Sequence, residues 1–140
     1  MLRKPLFWET FILLAMVGVL DRLANVFDLY WKVSELDSLA HFLGGAFAAS
    51  IILWLYFFSG IFVPSKRNFG RFLLISILAV TLIAVLWEIY ELILGEAKFN
   101  ESQYAYDTTL DFVMDFLGAF ALCLYAYLRE LEYKASKIII

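Results

Sequence analysis

The chain has 140 residues, 64% of them hydrophobic and 19% aromatic, with a formal net charge of −3. So apolar a composition excludes an ordinary soluble domain, in which apolar residues make up roughly 45–50%. The single Cys123 excludes an internal disulfide, and no nucleic-acid module, Gly-rich phosphate loop or CxxC pair is present.

The expectation is an all-α integral membrane four-helix bundle, a single transmembrane domain over residues 1–140, with helices at about 5–22, 37–63, 70–94 and 107–128. Pro5 suits the first turn of the first helix, Pro64 closes the second, and Gly95 suits the C-terminus of the third. Arg3, Lys4 and the apolar run to Leu20 imitate a signal peptide. No small-x-small cleavage site precedes a polar segment, so this stretch is expected to be a retained helix.

Between the first two helices, Leu23, Val26, Phe27, Tyr30 and Trp31 recur at helical spacing around Asp28 and Lys32, which predicts a short amphipathic segment at the headgroup level. The polar connection 96–106 lacks periodicity and reads as a solvated loop.

Charge sets the expected orientation. Arg3, Lys4, Lys66, Arg67, Arg71, Arg129, Lys134 and Lys137 fall on one side, against Arg22, Lys32 and Lys98 on the other. With the acids included, the two sides carry +5 and −8. The positive-inside rule then predicts an N-in/C-in, multi-pass protein of the cytoplasmic (inner) membrane, with both termini cytoplasmic. On this reading the inner basic residues serve topology alone.

Seven ionisable residues interrupt the apolar stretches, all toward the outer side: Asp37 and His41, then Glu88 and Glu91, then Asp107, Asp111 and Asp115. Asp37 and His41 share a face at i, i+4, Glu88 and Glu91 at i, i+3, and the three aspartates at i, i+4, i+8. From the expected boundaries His41, Glu91 and Asp111 sit about 5–6 Å below the outer ends, and Glu88 and Asp115 about 9–12 Å below. Carboxylates in hydrocarbon are costly and normally face a bundle interior that binds ions, protons or substrate.

Simpler explanations stand beside that one. Asp37 and Asp107 suit helix N-caps, and a lone His41 on an apolar face suits a structural role. Gly44, Gly45, Ala48 and Ala49 below His41, and Gly118 and Ala119 below Asp115, would let helix backbones approach closely. Close approach would bring the acids together, where they need a cation or shared protons. All seven residues are candidate ligands of a divalent metal cation (Mg, Mn, Ca or Zn), with His41 or Glu91 as candidate catalytic base. The Glu-x-x-His pairs of di-iron bundles are absent, because the chain has one His.

The strings Leu36-Asp37-Ser38-Leu39-Ala40-His41-Phe42-Leu43-Gly44-Gly45, Trp87-Glu88-Ile89-Tyr90-Glu91 and Asp107-Thr108-Thr109-Leu110-Asp111, with Asp115 and Gly118, resemble the YjdF-like and VanZ-like small membrane proteins. Those proteins carry an Asp-x3-His on one helix, an acidic motif on a later helix and an Asp-x3-Asp motif opening the last. The resemblance spans residues 36–120. VanZ-like members usually have Asn ahead of the final Gly, where this chain has Asp115-Phe116-Leu117-Gly118. The resemblance implies a prokaryotic membrane protein of four to six helices. VanZ-like members are associated with glycopeptide antibiotic resistance, and no mechanism comes with the likeness.

Three functions fit these residues. A metal held by Asp111, Asp115, Glu88 and His41 would make a membrane-embedded hydrolase or transferase acting on a lipid or lipid-linked substrate. The same carboxylates would serve a cation or proton transporter, for which a homodimer would supply the through-path that the apolar inner halves deny a monomer. In an accessory membrane subunit without catalysis they would fix helix register or pair with a partner's cations. The lipid bilayer is a partner in every case, and nucleic acid in none.

Overall fold

A computed structural model describes residues 6–33, 35–94 and 102–138. It is all-helical, with four long helices: α1 (Phe7–Val26), α3 (Glu35–Leu53, continued by a π-helical turn at Trp54–Phe58), α4 (Phe69–Leu94) and α5 (Tyr104–Ile138). A single-turn α2 (Leu29–Lys32) lies between the first two.

α1 starts from Leu6, whose left-handed backbone (φ 65°) is uncommon for a branched side chain. Leu6 is fully buried against Leu53, Phe57, Phe58 and Phe72, and its carbonyl accepts both the Thr10 amide and the Thr10 hydroxyl. α1 ends four residues beyond the expected Arg22, so Leu23 and Val26 belong to its last turns. The chain reverses at Asp28, a residue type that tolerates its φ of 52°. Lys32 caps the turn by donating to the Phe27 carbonyl at 2.6 Å.

α3 stops short of the expected residue 63. Its last turn widens at Trp54–Phe58, and Gly60 then takes a φ of 90°, ending the helix ahead of Pro64. Phe57 and Phe58 are both buried within the widened turn, and Phe57 stacks on Phe72 of α4 at 3.9 Å between ring centroids. On α4 the buried residues Phe72, Ser76, Val80, Ala84 and Glu88 recur every fourth position, forming one narrow stripe with a carboxylate at its end. Leu74, Leu78 and Leu82 of the same helix are exposed, as a lipid-facing surface requires.

α3 packs most extensively on α5. A Cβ added at Gly45 would lie 2.6 Å from the carbonyl carbon of Asp115, and one at Gly118 would lie 2.8 Å from that of Phe42. The two helices therefore touch backbone to backbone, which only glycine permits at these positions. α1 joins α3 through a buried hydroxyl pair, Thr10 Oγ1 to Ser50 Oγ at 2.6 Å.

Among the described residues, three helical stretches are long and apolar enough to cross a membrane: Glu35–Phe58, Phe69–Leu94 and Tyr104–Ala135. α1, whose 20 residues include Glu9, Asp21 and Arg22, is not among them.

Candidate metal centre

The close α3–α5 crossing places His41 against α5. One turn above Gly45, the imidazole is buried with three carboxylates around it. Its Nε2 lies 3.5 Å from Asp111 Oδ1 and 4.0 Å from Asp37 Oδ1. Its Nδ1 lies 3.4 Å from Asp115 Oδ2. The side chains of Asp111 and Asp115 are nearly enclosed, at 7% and 11% exposure, whereas Asp37 is 44% exposed. Asp37 thus forms the mouth of the site and the other three its interior.

The two ring nitrogens face different surroundings. A proton on Nδ1 donates to Asp115 and leaves the Nε2 lone pair directed at Asp37 and Asp111. Three electron-pair donors then converge on one point, an arrangement that a metal ion there, or a second proton on the ring, would satisfy. One atom each from Asp37, His41 and Asp111 falls within 4.8 Å of the others, so this group could hold a metal ion. Ligands of a tetrahedral ion bound at about 2.0–2.1 Å stand roughly 3.3 Å apart, close to the His41–Asp111 separation. With a metal at Nε2, Asp115 on the far nitrogen would be placed to fix the tautomer of the histidine.

The other sequence candidates lie around this centre. Glu88 is buried, but no ion pair or hydrogen bond joins it to His41; its Oε2 accepts from Tyr104 Oη and Thr108 Oγ1, both at 3.1 Å. Glu91 is half-buried and accepts from Trp87 Nε1 at 2.7 Å, within electrostatic reach of His41, Asp37 and Glu88. Asp107 is exposed in the first turn of α5. Neither Asp37 nor Asp107 is an N-cap, because α3 begins at Glu35 and α5 at Tyr104. The connection expected as a loop at 96–106 lies mostly outside the described residues; its last three residues open α5.

Tyr30 of α2 stands near the mouth, its hydroxyl 3.4 Å from Asp21 Oδ1. Burial, followed by the charge of Asp21, pushes its phenol up to about 12, so it remains a hydrogen-bond donor. The periodicity around Tyr30 predicts a headgroup-level helix and gives no sign of this contact.

A second polar cluster lies at the opposite end of the bundle, where the basic residues are expected from sequence to serve topology alone. Glu130 is 1% exposed and pairs with Arg67 Nη1 at 3.0 Å and Lys134 Nζ at 3.2 Å. Arg67 also donates through Nη2 to the carbonyl of Phe57 in the π-helical turn, and its guanidinium lies over the Phe57 and Phe58 rings. One signal for this cluster exists in the chain: Asp111, Asp115, Ala119, Cys123, Ala126 and Glu130 share the buried stripe of α5.

A family model described as "Predicted membrane protein (DUF2238)" matches residues 5–131. No curated protein and no solved structure matches the chain. The family match does not itself extend to the YjdF-like or VanZ-like proteins.

Proposed function

The chain belongs to the DUF2238 family of predicted membrane proteins, and from that premise we propose that its buried Asp37–His41–Asp111 group is a divalent-metal site. The observation that carries this reading is the convergence of His41 Nε2, Asp37 and Asp111, with Asp115 on the opposite ring nitrogen. One imidazole and two carboxylates suit Zn or Mn better than Mg or Ca, which favour sites made of oxygen alone. Three protein ligands leave a coordination position for water or substrate, the pattern of catalytic rather than structural metal sites.

The metal would supply Lewis acidity toward a phosphoryl or acyl oxygen. His41, bound through Nε2, would then be a ligand and not a base. Glu91, within electrostatic reach of His41 and half-exposed, is the better placed general base. A mouth at one end of membrane-spanning helices supports a hydrolase or transferase acting on a lipid or lipid-linked substrate. The distribution of basic residues supports cytoplasmic termini and an extracytoplasmic mouth.

Elemental analysis of the detergent-purified protein, after exposure to Zn, Mn, Mg or Ca, tests the reading. The expected result is about one Zn or Mn per chain, lost in His41→Ala. A metal-free protein under all four conditions overturns it.

A second reading draws on the same geometry. A doubly protonated imidazole would donate to Asp115 through Nδ1 and toward Asp111 through Nε2, making His41 a proton-holding group of a transporter or accessory subunit. Against a transport path through one chain, Phe57, Phe72 and the Arg67–Glu130 pair fill the opposite end. Proton-coupled cation flux in proteoliposomes, abolished by Asp111→Asn, would favour transport over catalysis.

A further inference from the structure

We infer that Glu88 is the recognition point for a primary ammonium group, which makes an amine-bearing phospholipid headgroup the ligand class of this end of the bundle. The inference rests on the metal reading above only for the phosphate half of that headgroup.

Glu88 is 8% exposed, and its two oxygens differ. Oε2 takes the Tyr104 and Thr108 hydroxyls, while Oε1 is buried with no hydrogen-bond partner among the described residues. Both donors are neutral. The described lysines and arginines that form ion pairs do so at the opposite end, with Glu9, Glu130 and Glu132. A buried carboxyl group supplied only with neutral donors on one oxygen is left with an open acceptor on the other, whose desolvation nothing offsets.

A hard metal ion requires six or more oxygens, far more than one open carboxylate oxygen supplies. A primary ammonium brings both the charge and N–H donors. A quaternary ammonium brings the charge alone.

The neighbourhood supplies the rest of the headgroup. Thr108, bonded to Glu88, is i−3 from Asp111, which faces His41. Residues at that spacing are neighbours on one helix face, with Cβ atoms about 5–6 Å apart. An amine at Glu88 and a phosphate at the metal would therefore be separated by about one helical turn, a span suited to the two-carbon bridge of an ethanolamine phosphate. Apolar helix faces beside the site provide lodging for acyl chains.

The test uses the full chain in detergent, loaded with Zn or Mn, with short-chain phosphatidylethanolamine and phosphatidylcholine compared by native mass spectrometry. Free ethanolamine phosphate serves as a soluble source of the same headgroup. The ethanolamine lipid is expected to bind about tenfold or more tightly than the choline lipid, since it adds a hydrogen bond to a charged group. Glu88→Gln is expected to bring the two within about twofold, and Thr108→Val to reduce the preference in part. Helical content by circular dichroism checks that each variant is folded.

Equal affinities in the native chain, a preference that survives Glu88→Gln, or loss of metal in Glu88→Gln would each overturn the inference. If the native chain holds no metal, ethylammonium is compared with tetramethylammonium. A Glu88-dependent preference for ethylammonium upholds amine recognition while the metal reading alone falls, and no such preference overturns the inference. Free ethanolamine phosphate binding as tightly as the lipid would identify a soluble ligand and remove the lipid assignment.

Discussion

Gly45 of α3 lies so close to Asp115 of α5 that a methyl group there would stand 2.6 Å from the Asp115 carbonyl carbon. That contact sets the separation of the two helices one turn below His41, and with it the 3.4 Å approach of His41 Nδ1 to Asp115 Oδ2. Gly45→Ala is expected to push the helices apart, costing about 1–3 kcal/mol of stability as an overpacked core does. Thermal unfolding in detergent would show the loss, and metal content should fall with it. Gly118→Ala should behave alike, whereas Gly18→Ala, in open space on α1, should leave both properties unchanged.

Asp111 and Asp115 are one turn apart but should respond differently to loss of charge. Asp111→Asn would remove a proposed ligand, so binding should fall below detection. Asp115→Asn removes only the group orienting the imidazole and should weaken metal affinity about 10–100-fold. Competition with a chromophoric chelator measures both. Equal effects would mean that the two aspartates share one role.

Metal binding must displace protons from imidazole and carboxylate, so affinity should decline as pH falls. The decline is to be followed between about pH 8 and about pH 5. The sign follows from competition, since protonation of His41 removes its Nε2 lone pair. Chelator competition across that range checks it, and affinity independent of pH would argue against His41 as a ligand.

At the other end of the bundle, Arg67→Ala would leave Glu130 buried without its closest cation. A buried charge stripped of every partner costs about 3–5 kcal/mol, and Lys134, still 3.2 Å from Glu130, should hold the loss below that. Replacing both residues with methionine should cost much less, because no charge is then stranded. Chemical or thermal unfolding of the single and double variants separates charge stranding from loss of packing. Metal binding should survive in the double variant.

Much of the fold is legible in the order of the amino acids. Apolar runs broken by Pro64 and by the polar stretch near residue 100 define the helices, and the small residues on α3 and α5 mark where they meet. The helix ends are less legible. The π-helical turn at Trp54–Phe58 depends on Phe57 stacking on Phe72 and on Arg67 reaching the Phe57 carbonyl, both contacts between distant segments.

The candidate site divides the same way. Helical spacing groups Asp37 with His41 and Asp111 with Asp115, but it treats seven residues as one set. The structure brings four of them together, holds Glu88 against two hydroxyls that spacing does not single out, gives Glu91 to Trp87 and leaves Asp107 exposed.

Period and composition along one helix decide which side chains share a face and how deep they lie, so the amino-acid order alone determined an all-helical membrane protein with acids gathered toward one end. Which nitrogen of His41 meets which carboxylate depends on the rotation and separation of two helices whose contacting residues lie 74 positions apart. Packing of Gly45 and Gly118 against opposing backbones sets that geometry, and no periodicity within a single segment encodes it.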